Sequence, residues 1–287
     1  MNREHFDKEW IVRLVLLLFA LSSLLFLFII FIFILIEGLP LFYKVGVRNI
    51  VLGMKWAPTK ASFGIFPMII SSFMVTFGAL VVGAPLALAC ATYLSEYAGK
   101  KTKLFLKPSL ELLAGIPSVV YGFLGVVYIV PIIREHLGGA GFSILSTSLV
   151  LGIMILPTIT SISFDSLMSV PSAYREGSLA MGATKWQTIS RVVLPAARSG
   201  ILASFILGMG RAVGETMAVI MVAGNALKIP TSLLDPLRTL TSNIALELAY
   251  ATGDHRRALF STGVVLLVII MGLNLIANFW VKAKVAK

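Results

Sequence analysis

Long uncharged runs, broken by short charged segments, dominate the pattern of this chain. Between Arg13 and Glu37 lie 23 residues free of Asp, Glu, Lys and Arg, and between Lys60 and Glu96 lie 35. Glu111 to Arg134 encloses 22, Glu135 to Asp165 encloses 29, and Arg257 to Lys282 encloses 24. A helix rises 1.5 Å per residue, so about 20 apolar residues cross the hydrocarbon of a bilayer. A sixth stretch, Ser199 to Leu227, has the length and apolarity but contains Arg211 and Glu215. The pattern predicts six spans, near residues 11–36, 67–93, 108–133, 143–165, 199–227 and 259–281. Backbone groups in lipid must be satisfied within their own segment, so the expected fold class is all-α, a polytopic membrane bundle of six transmembrane helices. The first span reads as a retained anchor. Its apolar run exceeds a signal-peptide core, and no small-x-small cleavage site precedes Glu37.

Composition agrees. Of 287 residues, 58% are hydrophobic and 13% charged, against about 25% charged in a soluble domain, too few to clothe so much apolar side chain in water. Cys90 is the single cysteine, which excludes a disulfide scaffold. His5, His136 and His255 lie far apart with no ligand-like spacing, so no metal site and no cofactor are expected.

The formal charge of +11 admits nucleic-acid binding or membrane orientation. With six spans, 14 Lys and Arg residues fall on the side of the termini and 9 on the other, with Arg211 inside a span. Cations favour the cytoplasmic side, so both termini are expected there. Trp10 and Trp280, at inner span ends, fit an aromatic belt. Scattered over both faces, the cations form no stripe for nucleic acid.

The loop between spans four and five carries distinct local signals. Pro171 suits a first helical turn, Gly182 the left-handed residue that ends a helix, and Thr184 with Gln187 a capping box that starts another. Pro195 then stops or bends that second helix. The result is a helix–turn–helix elbow, read on these signals alone either as a connector on lipid headgroups or as a docking element for a soluble partner. Gly177 to Gly182 has the glycine spacing of a phosphate loop, but Ala183-Thr184 follow where Lys-Ser/Thr is required, so no ATP site is expected.

Span five has chemistry of its own. Arg211 lies about 20 Å along it, near mid-membrane, where a cation costs about 2.5–3.5 kcal/mol on insertion scales. Glu215, four residues on, is expected to share its face and partly neutralise it. The pair is either an inert lock or the lining of an anion path, where Arg meets an oxyanion with a planar donor fork. Gly210-x-x-x-Gly214 suits close helix packing. Pro117 with Gly115, Pro157 and Pro85 are candidate helix breaks. Cys90 reads as a small packing residue.

Glu176, Gly182 and Val192-Val193-Leu194-Pro195 resemble the EAA loop of ABC-importer permeases, with Gly177-Ser178 in place of Ala-Ala. That resemblance implies the type I importer (MetI-like) fold and a coupling helix seated on a cytoplasmic ATPase, contacted through Arg175, Glu176, Gly177, Ala180, Gly182, Ala183 and Thr184. Trp56-Ala57-Pro58, Tyr93 to Ala98, Ala114 to Phe123 and Gly210 to Val219 with Gly224-Asn225 are similar to PstC-type permeases of phosphate-specific importers. This implies a transmembrane domain over residues 66–282, with its coupling loop at 170–195, after an amino-terminal segment, first span and external loop over 1–65. It also implies a non-catalytic subunit in the cytoplasmic membrane of a prokaryote, moving inorganic phosphate, with Arg211 and Glu215 in the substrate pathway. The implied partners are a second, PstA-like permease, a PstB-like ATPase dimer, an external PstS-like phosphate-binding protein and the lipid bilayer. Import of another oxyanion, or an ATP-independent anion carrier or channel, are the rival readings. An intramembrane enzyme lacks its catalytic groups inside the spans.

Overall fold

The computed structural model describes residues 3–285, with side chains described from Val12 to Ile276 and at Trp10 and Phe279. The side chains of Trp280 and of the cations Arg3, Lys8, Lys282 and Lys284, and Lys287 altogether, lie outside the described residues. In chain order the helices are α1 (Arg3–Val45), α2 (Val47–Val51), α3 (Phe66–Thr92), α4 (Lys100–Gly115), α5 (Ser118–Leu124), α6 (Val130–Leu137) and α7 (Ile144–Met168). They continue as α8 (Ser172–Ala180), α9 (Lys185–Thr188), α10 (Leu194–Ala196), α11 (Arg198–Gly214), α12 (Met217–Val222), α13 (Leu240–Glu247) and α14 (Gly253–Val285). Wide π turns at Tyr93–Tyr97, Gly125–Ile129 and Ile189–Val193 extend α3, join α5 to α6, and join α9 to α10. A short hairpin pairs β1 (Trp56–Ala57) with β2 (Ser62–Phe63). Among the described residues, five helices are long and apolar enough to cross a membrane, and six when the bent pair Lys185–Ala196 and Arg198–Gly214 counts as one span.

Two spans depart from expectation, each at an interruption of its helix. Span three starts at Ser118 rather than near residue 108, because the chain turns extended at Ile116-Pro117. Proline disfavours a helical residue before it, so the apolar run is cut there. The upstream part becomes the separate helix α4, none of whose side chains is buried. Span five ends at Gly214, where Glu215 adopts φ −69°, ψ 135°, and the chain resumes as α12. Pro85 and Pro157, expected as breaks, sit inside the continuous helices α3 and α7. Pro171 stands one residue before α8 rather than in its first turn, and Cys90 is exposed rather than packed.

The core is the seam between α3 and α7. A Cβ on Gly78 would lie 2.3 Å from Ser148 Oγ, and one on Gly83 would lie 2.6 Å from the Gly152 carbonyl oxygen. Lipid offers no hydrophobic drive for helices to associate, so small residues that let backbones approach supply the attraction through dispersion. Thr160 Oγ1 adds a hydrogen bond to the Ala87 carbonyl at 3.3 Å. The same device seats α11 on α7, where a Cβ on Gly208 would meet Ile159 at 2.6 Å. The Ser163 and Ser204 hydroxyls bond there at 2.8 Å. Helix α1 leans mainly on α14, through Gly38 and Ser261, whose hydroxyl donates to the Gly38 carbonyl at 2.7 Å.

At the end opposite the elbow, Glu247 ties the hairpin, α13 and α14 together. Its buried carboxylate accepts from Arg238 Nη1 at 2.7 Å, Trp56 Nε1 at 2.8 Å and His255 Nε2 at 2.8 Å.

Gly83→Val is expected to lower stability by about 1–3 kcal/mol through overpacking against the α7 backbone. Gly210→Ala, with nothing within 4 Å of its Cβ, is expected to be neutral or slightly stabilising. Thermal unfolding of the two variants in detergent compares them directly.

Candidate functional site

The broken span and the elbow hold most of the candidate residues. Arg211 lies in the last turn of α11 and donates from Nη1 to the Thr158 hydroxyl of α7 at 2.9 Å. Glu215 does not share its face. The helix ends between them, and Glu215 Oε1 instead accepts from the Ala218 backbone N–H at 3.1 Å, in the first turn of α12. No ion pair joins Arg211 to Glu215 among the described residues. Each charge has found a helix end that suits it, the cation at the carbonyl end of α11 and the anion at the amide end of α12.

The break is held by polar groups. Thr241 of α13 donates to the Glu215 carbonyl at 2.8 Å. Gly224 and Asn225 then take left-handed backbones (φ 76° and 56°), letting the chain turn back after α12. Gly210 and Gly214 were expected to pack a neighbouring helix, but a Cβ on either would meet nothing within 4 Å. Gly208 and Gly200 make the close approaches instead, to Ile159 and Ser166. Spacing identifies a small-residue face but not which side of a helix meets a neighbour.

Pro117 opens the kink as expected. Tyr121 spans it, donating from its hydroxyl to the Leu113 carbonyl at 2.8 Å. Gly122 and Gly125 bring this segment onto α12, where a Cβ on Gly122 would lie 2.9 Å from Ala218 Cα. The two breaks are therefore packed beside each other. Pro157 is buried within α7, one residue before the Thr158 that holds Arg211.

The elbow forms as its sequence signals predict. Gly182 has φ 83°; its N–H bonds to the Leu179 carbonyl at 2.9 Å, and the Ala183 N–H to the Ser178 carbonyl at 3.2 Å. This is the double closure of a Schellman turn. Thr184 and Gln187 form the reciprocal capping box at 2.8 and 3.3 Å. The Ser178 and Thr188 hydroxyls, 3.0 Å apart, fix α8 to the second helix. Between Ala196 and Arg198 the chain bends by 69° into α11.

Glu176, Gly177, Ala180, Gly182 and Thr184 lie on the exposed side, and Ala183 is half-buried. Arg175 turns the other way, into the bundle, where Glu96 and two backbone carbonyls take its guanidinium. Tyr174, Leu179, Met181 and Trp186 were not singled out from the sequence, yet they leave large apolar surface exposed on the elbow, Met181 at 89%. Their signal was present: apolar side chains outside any span, on a segment punctuated as two short helices.

A bundle of breached, closely packed spans with an exposed elbow between the fourth and fifth defines a membrane permease, and residues 83–286 match the family model described as "Binding-protein-dependent transport system inner membrane component". The chain belongs to that family. It is an integral inner-membrane, non-catalytic permease subunit of an ABC importer, a class that works with a separate ATPase and a binding protein. It is 44% identical to "Probable ABC transporter permease protein YqgH" of Bacillus subtilis (strain 168), over 83% of this chain and 79% of that one. It is 32% identical to "Phosphate transport system permease protein PstC" of Haemophilus influenzae, over 93% and 92%. The fold matches a solved bacterial ABC transporter involved in import of the acidic polysaccharide alginate, with a TM-score of 0.68, 17% identity and 98% of each chain covered.

Gly182→Ala is expected to cost about 1–2 kcal/mol, because a side chain is strained at its left-handed backbone. Hydrogen exchange should then show faster amide exchange across α8 with the α3–α7 seam unaffected.

Proposed function

We propose that this permease carries inorganic phosphate across the cytoplasmic membrane, with both termini on the cytoplasmic side. The observation that carries the reading is Arg211 at the break of span five. A guanidinium offers five N–H donors, and among the described residues only the Thr158 hydroxyl accepts from it. The unused fork suits a tetrahedral oxyanion, which it can meet with two parallel charge-assisted hydrogen bonds. Broken helices at membrane depth are tolerated where they are buried in protein or line a water-filled path. The phosphate names of several relatives support the same substrate.

In this reading the elbow seats its exposed apolar face and Glu176 on a PstB-like ATPase dimer, a PstA-like permease completes the pathway, and a PstS-like binding protein delivers phosphate from outside. Glu215 orders the break rather than neutralising Arg211, which leaves the cation free for the anion. The transmembrane domain over 66–282 is the unit that moves, and residues 1–65 supply the first helix and the external hairpin.

Arg211→Gln is expected to insert and assemble normally and to abolish phosphate uptake into proteoliposomes. Normal uptake overturns the assignment. Sulfate in place of phosphate in the same assay tests the rival oxyanion.

A further inference from the structure

We propose that Glu96 and Arg175 form the joint through which movement of the elbow reaches the membrane helices. Arg175 is the sole cation of α8, and no side chain of that helix is fully buried. Its guanidinium donates to Glu96 from Nε at 3.2 and 3.3 Å and from Nη2 at 2.7 Å. Nη1 donates to the Val170 carbonyl at 2.7 Å, and Nη2 also to the Leu167 carbonyl at 2.8 Å. Three segments thus meet on one planar group: the coupling helix, the carboxyl end of α7, and the π turn that extends α3.

The joint is built stiffly. The Glu96 side chain is 8% exposed and that of Arg175 is 22% exposed, so water screens the pair poorly. A fork on a carboxylate fixes orientation as well as distance. The π turn at Tyr93–Tyr97, closed by the Ala98 N–H on the Tyr93 carbonyl at 2.9 Å, sets Glu96 at the elbow. Stability alone is a weak reason for such a pair, since buried ion pairs commonly contribute little net free energy. Connection is the stronger reason. Both α3 and α7 run from this joint into the seam, and α7 carries the Thr158 that holds Arg211.

The inference rests on the proposed docking of the elbow on an ATPase. It makes Glu96 and Arg175 positioning residues, which need touch neither the ATPase nor the substrate. The test uses the assembled importer in proteoliposomes and reads phosphate taken up per ATP hydrolysed. A loss of assembled complex alone lowers both quantities together and leaves their ratio unchanged. Glu96→Gln is expected to lower the ratio at least tenfold. Arg175→Lys keeps the charge but not the fork, and is expected to lower it severalfold even where Glu96→Gln assembles poorly. A wild-type ratio in the assembled variants overturns the proposal. Ala180→Trp, on the exposed side of α8, tests the docking reading separately through co-purification of the ATPase. An undiminished yield overturns that reading, whatever the ratio in the other variants.

Discussion

The close approach of α3 to α7 is the constraint on which the rest of the molecule depends. Helices in a bilayer gain little by hiding apolar surface from one another, because lipid tails are as apolar as leucine. Attraction must come from dispersion and the occasional hydrogen bond, both steep in distance, and glycine is what permits the distance. Gly78, Gly83 and Gly152 supply it, with the Thr160 hydrogen bond along the same line. Helix α11 joins this pair by Gly208 and the Ser163–Ser204 bond. The elbow end and the mid-span break are therefore fastened to the same two helices.

Against this rigid pair, the interruptions stand out as deliberate. A helix broken inside a membrane frees carbonyls and amides that lipid cannot satisfy. Here Thr241 donates to the Glu215 carbonyl, the Glu215 side chain accepts from Ala218, and Tyr121 donates across the neighbouring kink to Leu113. Each freed group named here is answered by a side chain from nearby. Arg211 is then stabilised twice, with no counter-ion beside it among the described residues, by the carbonyl end of its own helix and by Thr158. A cation kept in place but not neutralised is what the proposed anion path asks for.

Charge spacing made much of the architecture legible, because crossing a bilayer is a requirement on length and apolarity that any sequence must display. The elbow was legible for a related reason: capping boxes and left-handed glycines are local chemistry, and Thr184, Gln187 and Gly182 act within a few residues of themselves. What escaped were effects that no local count registers. Uncharged stretches look alike whether continuous or cut, so the break at Glu215 was absorbed into span five, and span three was begun upstream of the kink that Pro117 had signalled. Proline was an unreliable guide, since Pro85 and Pro157 leave their helices continuous while Pro117 does not. The small pair Gly210 and Gly214 was recognised as a face, but only three-dimensional packing gives that role to Gly208. The partner of Arg175 lies 79 residues upstream, beyond any periodicity.

Where Arg175 points changes how α8 could act in the proposed coupling. An arginine on the outer face would make α8 a docking patch whose motion the bundle feels through the flexible ends of a loop. Turned inward and clamped by Glu96, Leu167 and Val170, it gives the helix a second attachment besides the chain itself. The Schellman turn, the capping box and the Ser178–Thr188 bond remove slack within the elbow, and the clamp removes slack between elbow and bundle. A device meant to absorb movement would concentrate its weak points there. This one places its charge-assisted bonds at the junction, so that in the proposed coupling a displacement of the elbow is passed to α3 and α7 rather than absorbed there.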